Sequence, residues 1–184
     1  MSVGVLDCVR TFEELKEQAA ALRGEILSDN KLTDNVRERN NRISELFREN
    51  FEEYTQHVES YKNDPDFANL VSKTEKAKDE VTQLVSAVIM WYSNIFDEIK
   101  DESSRLNEEI RSDEFKVTDA RREKSESIEA SFTEVIVNYT KDLKTFKYNP
   151  NLQNSFEKAC SAKDELESLD LTVRMNLILQ SSGV

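Results

Sequence analysis

Few side chains in this sequence could do chemistry, and their surroundings decide what each is for. The single histidine, His57, could ligate a metal or shuttle a proton. A lone histidine needs partners to do either, and no cysteine or second histidine lies near it in the chain. Tyr54 stands where a di-iron bundle would carry the Glu of a Glu-x-x-His pattern. His57 therefore reads as a helix-surface residue. The two cysteines, Cys8 and Cys160, are far apart and define no disulfide framework. Cys8 falls among regularly spaced apolar residues and reads as a buried, inert thiol; Cys160 lies off that spacing and reads as partly exposed. Acids are abundant, and Glu13 and Glu17 sit at helical spacing. A catalytic carboxylate pair needs a pocket that drives two pKa values apart, which the solvated face of a narrow bundle does not offer. Asp29-Asn30 and Asp64-Pro65-Asp66 lack the spacing and central glycine of a calcium loop and read as capping segments. There is no glycine-rich phosphate loop, nucleophile elbow or zinc spacing. No catalytic residue, cofactor or metal site is expected, and the chain reads as a non-enzyme.

The elements that carry these residues are helices with coiled-coil spacing. Cys8, Phe12, Leu15, Ala19, Leu22 and Ile26 follow steps of 4, 3, 4, 3 and 4, the signature of a helix seam. A second helix is expected over about Asp34 to Lys62, with Val36, Ile43, Phe47, Phe51, Tyr54, Val58 and Tyr61 on its seam. A third begins near Pro65, with Asp64 as its cap and Pro65 in its first turn, where a missing N–H costs nothing. No Gly or Pro follows until Pro150, so this helix is expected to run on to about Ile110; a break at Ser93-Asn94 is the alternative.

The sequence then repeats itself. Phe12-Glu13-Glu14-Leu15-Lys16 returns as Phe96-Asp97-Glu98-Ile99-Lys100, a shift of 84 residues, and Asp64-Pro65 returns as Asn149-Pro150, a shift of 85 after one insertion near Phe115. Thr33-Asp34 returns as Thr118-Asp119, and Lys76-Ala77-Lys78-Asp79-Glu80 as Ser161-Ala162-Lys163-Asp164-Glu165. In the second copy the expected seams are Ile128, Phe132, Ile136, Tyr139, Leu143 and Phe146, then Leu152, Phe156, Ala159, Ala162, Leu166, Leu169, Val173 and Leu177. The fold class is thus all-α: two tandem three-helix coiled-coil bundles, over 5–92 and 93–181, that share a long continuous central helix.

Composition narrows the partners. Net charge is −12, and the basic residues are scattered among acids, so a phosphate backbone would be repelled and no nucleic acid is expected. The same scatter disfavours an anionic membrane surface, no apolar run is long enough for a membrane span, and Met1 to Leu6 do not resemble a signal peptide. With two cysteines on separate copies, a reducing, cytoplasmic setting is expected.

Three helices per unit, tandem units and a helix bridging one unit to the next resemble the arrangement of spectrin repeats, from about Leu6 to Gln180. The resemblance lies in topology and heptad pattern. It implies a spacer or scaffold in a cytoskeletal assembly that binds other proteins through helix faces.

Function is then expected at exposed apolar clusters. Ile89, Met90, Trp91 and Tyr92 carry more apolar area than one face of a three-helix unit hides. They read as the joint between units, with a partner-binding anchor as the alternative. Met175, Leu177 and Leu179 are the corresponding cluster at the far end and suggest partner contact or self-association. The primary expectation is a structural or scaffolding protein. An adaptor or subunit of a larger coiled-coil complex is the alternative, and a lipid-associated bundle a lesser one.

Overall fold

The computed structural model describes residues 3–114, 116–147 and 149–181, with side chains described between 5 and 178. The insertion near Phe115 and the side chain of Leu179 lie outside the described residues. The protein is all-α: helices α1 (Val3–Asp29), α2 (Asp34–Tyr61), α3 (Phe67–Ser112), α4 (Asp119–Phe146) and α5 (Leu152–Ser181), with no strand among the described residues. α3 is unbroken at Ser93-Asn94.

The chain divides into two compact units. The first comprises Met1–Trp91 with Lys144–Asn149, the second Tyr92–Leu143 with Pro150–Val184. In the first unit α1 buries Val5, Val9, Phe12, Leu15, Ala19, Leu22 and Ile26. Phe12 meets Phe47 and Tyr54 of α2 edge-on, with ring centroids 5.9 and 6.1 Å apart, an arrangement aromatic quadrupoles favour. Leu70 and Ala77 of α3 close this cluster. At its rim Lys73 pairs with Glu13, and Arg23 with Glu80 at 3.0 Å. Burial in α2 stops at Ile43; beyond it Phe47, Phe51, Tyr54 and Tyr61 are only partly covered.

In the second unit α3 buries Tyr92, Phe96, Ile99, Leu106 and Ile110. Tyr139 of α4 packs on Tyr92 and Phe96 at 5.3 and 5.4 Å. α5 adds Ala159, Ala162, Leu169 and Val173, and Lys158 pairs with Asp97.

The repeat seen in the sequence governs the local chemistry of both units. α2 and α4 each have 28 residues. Thr33 Oγ1 accepts from Val36 N and Thr118 Oγ1 from Arg121 N, both at 3.3 Å; each N-cap satisfies an otherwise orphan amide. The preceding helix ends in a left-handed residue both times, Asn30 at φ 45° and Glu114 at φ 50°.

Three details depart from the sequence reading. α3 begins at Phe67 rather than Pro65, because Asp64 closes a turn: its Oδ1 accepts from Asp66 N at 2.9 Å, and the first helical bond runs from Leu70 N to Asp66 O at 3.0 Å. The same shift places α5 two residues after Pro150, with Ser155 N on Asn151 O at 3.1 Å. Cys8 is only half-buried, and its neighbour Val9 takes the inner place. In α4 and α5 the inner positions are Asp142, Ser155 and Asn176, all buried. Leu143 is half-buried, Phe156 is 55% exposed and Leu177 is 39% exposed.

The loop geometry yields a stability test. A left-handed conformation strains a non-glycine L-residue by about 1–2 kcal/mol, less for Asn, against roughly 0.5–1 kcal/mol for the greater freedom of an unfolded glycine. Glu114→Gly should therefore raise unfolding stability by up to about 1 kcal/mol, and Asn30→Gly by less. Thr33→Ala and Thr118→Ala should each cost about 1 kcal/mol. Urea denaturation of the four variants checks both signs.

Candidate functional site

The groups with chemical potential are engaged in structure. Glu13 is bound by Lys73, whose hydrogen bond and charge hold its carboxyl below the usual range. His57 lies on the exposed face of α2, its ring 6.4 Å from that of Tyr61. Burial pushes the Cys8 thiol up, with the charges of Glu53 and Asp7 adding to it and a hydrogen bond with Tyr61 opposing it. A raised thiol pKa suppresses the nucleophilic thiolate. Cys160 is exposed. Asp29 accepts from Ser28 Oγ at 3.0 Å within the chain turn. Among the described residues no group of His, Cys, Asp and Glu could hold a metal ion.

The apolar candidates separate by burial. Ile89 and Tyr92 are fully inside, at 0% and 1% exposure, whereas Met90 is 56% exposed. Trp91 is half-buried, and its indole N–H donates to the backbone carbonyl of Asn30 at 3.2 Å. It thereby ties α3 to the loop between α1 and α2, inside the first unit. The residue one repeat later, Asn176, does the same for the second unit: its Oδ1 accepts from Val117 N at 3.4 Å. Two chemically unlike side chains thus perform one task, pinning the first inter-helix loop to the third helix. At the end of α5, Leu171, Met175 and Ile178 are 59%, 52% and 63% exposed, and Leu177 lies beside them.

Sequence reasoning missed one polar pair. The Tyr92 hydroxyl donates to Asp142 Oδ2 at 2.7 Å, and both residues are buried. The signal was available. A strict 4, 3 step places position 142 inside, between Tyr139 and Phe146, but an apolar-only reading moves the seam to Leu143.

In comparisons with known proteins, no family model matches the chain, and no curated protein or solved structure matches it at a significant level. No helix among the described residues is long and apolar enough to cross a membrane.

Two measurements follow. Asn176→Ala strands the buried Val117 amide and should cost about 1–3 kcal/mol. Trp91→Phe keeps most of the ring area, loses one hydrogen bond, and should cost only about 1 kcal/mol. Chemical denaturation ranks them; equal losses would mean that neither tie depends on its polar atom. Alkaline titration gives the second. Burial raises Cys8, Tyr54, Tyr61 and Tyr139 above their ordinary values. The unfolded chain therefore loses these protons at lower pH than the folded chain does. Stability from these groups is fully present at neutral pH and falls as pH rises through the thiol and then the phenol range. Tyr139→Phe should flatten the upper part of that fall in denaturation curves taken at stepped pH.

Proposed function

We propose that the chain is a non-enzymatic scaffolding protein built from two tandem three-helix coiled-coil units, 5–92 and 93–181, joined through the long helix α3. In this reading it acts in the cytoplasm as a spacer, presents helix faces to other proteins, and resembles spectrin-type repeats in design. One observation carries the proposal: the duplicated elements repeat their caps, left-handed loop residues and rim ion pairs. Such duplication builds length and surface from a reused unit.

A second reading, an adaptor within a larger coiled-coil complex, draws on Leu171, Met175 and Ile178. Their steps of 4 and 3 form an exposed apolar stripe on α5, of the kind a partner helix covers.

Proximity labelling from the tagged chain in its native cell tests the scaffolding reading, followed by binding of purified neighbours to the purified chain. The expected result is a small set of protein neighbours that bind directly, with no co-sedimentation on anionic vesicles. Turnover of a small-molecule substrate by the purified chain, or firm vesicle binding without protein neighbours, would overturn it.

A further inference from the structure

α4 carries a second stripe, on the side away from the core. Glu126, Ala130, Thr133 and Val137 follow steps of 4, 3 and 4, the spacing of a coiled-coil seam. All four are exposed, and with Glu129, Glu134 and Asn138 they line an open concavity of ≈ 540 Å³. Thr133 spends its hydroxyl on the Glu129 carbonyl of its own helix, at 2.9 Å, which leaves its methyl group for outward contact. Ala130, the Thr133 methyl and Val137, itself 46% exposed, make an apolar strip. Glu126, Glu129 and Glu134 flank it, and none of the three has an ion-pair partner among the described residues.

The duplication supplies a control within the same chain. In α2 the positions 85 residues earlier are Asn41, Ser44, Glu45, Arg48, Glu49, Glu52 and Glu53. There the face is polar throughout and partly self-neutralised, with Arg48 on Glu45 at 3.5 Å. In α4 three charged positions have become Ala130, Thr133 and Val137. A solvated helix face has no need of that exchange, whereas a face that another helix covers does.

We infer that this face of α4 is a docking site for a basic amphipathic helix of a partner protein. Charge selects the occupant. Lys or Arg residues flanking the partner's apolar seam would meet Glu126, Glu129 and Glu134, while its small apolar residues would lie on Ala130, Thr133 and Val137. A second copy would set its own three glutamates against these, and a like-charge contact is unfavourable. The stripe from 126 to 138 spans about 18 Å at 1.5 Å per residue, which accommodates roughly two heptads of a partner. The inference deepens the scaffolding reading by naming the chemistry of one partner, and it rests on that reading.

The test uses the full chain and two synthetic helices of about 16 residues. They share leucines at heptad spacing; one carries Lys at the flanking positions and the other Glu. Fluorescence anisotropy should show that the Lys helix binds, more weakly as salt rises, and that the Glu helix does not. Ala130→Glu combined with Val137→Glu restores the α2 pattern and adds negative charge, yet should weaken binding by about tenfold or more by removing the apolar strip. Replacing Glu126, Glu129 and Glu134 with Gln should also weaken it, while Glu45→Gln, Glu49→Gln and Glu52→Gln together in α2 should leave it unchanged. Circular dichroism melts verify that these exposed substitutions preserve the fold. Unchanged affinity in the Ala130/Val137 variant, or equal losses from the α2 and α4 variants, would reduce the site to bulk charge attraction and overturn the proposal. So would a concentration-dependent dimer of the free chain that Val137→Glu dissociates. If these outcomes appear while proximity labelling still recovers direct protein neighbours, only the α4 site is lost; substrate turnover or vesicle binding in place of neighbours removes the scaffolding reading itself.

Discussion

Each helix must take one stripe of side chains out of water, and the 4, 3 spacing of that stripe sets the terms for everything else. Burying a Leu, Val or Phe side chain contributes about 1.5–3 kcal/mol, so Phe12, Leu15, Leu22 and Ile26 hold α1 in a single rotational setting, and Phe96, Ile99, Leu106 and Ile110 do so for the later half of α3. That setting fixes which polar groups reach one another. Glu13 falls beside Lys73 and Asp97 beside Lys158 because each lies one residue along from a buried Phe. The loops depend on it as well, since Trp91 and Asn176 meet them only if the third helix of each unit is correctly rotated. Units of roughly 85 residues bury modest cores, so such end contacts weigh heavily.

The two copies differ where side-chain volume differs. Tyr92 stands in the position of Cys8, and Asp142 in that of His57. In the second unit Tyr92 fills the space and orders Tyr139 against it, so that the later half of α4 has buried residues. In the first unit the smaller Cys8 leaves Tyr54 and Tyr61 only partly covered, and the later half of α2 has none. Few buried contacts mark the segments of a protein that open most readily.

The helical class, the extent of α2 and the continuity of α3 through Ser93-Asn94 were legible because apolar spacing, caps and the near-absence of Gly and Pro all agree. The misplacements share one cause. Asp142, Ser155 and Asn176 are polar residues on inner positions, and a reading that follows apolar residues alone slips by one, to Leu143, Phe156 and Leu177. A buried polar residue is tolerated where a partner satisfies it; Tyr92 does so for Asp142 and the Val117 amide for Asn176, and such partners are distant in sequence. The outward stripe of α4 was overlooked for a related reason. Ala130, Thr133 and Val137 are weak apolar signals, and they stand out only when set against the charged residues that hold their places in α2.

A chain that contains two like units faces a hazard during synthesis, since helices of one copy can dock on those of the other. The Tyr92–Asp142 pair acts against that error. If α2 took the place of α4 beside Tyr92, the phenol would meet His57 instead of Asp142, and if α4 packed on α1, the Asp142 carboxyl would face Cys8 with no phenol to satisfy it. A buried polar group deprived of its partner is penalised far more than a poorly fitting methyl group. The pair therefore works as a proofreading contact: it discriminates between near-identical surfaces by leaving the wrong assembly chemically incomplete.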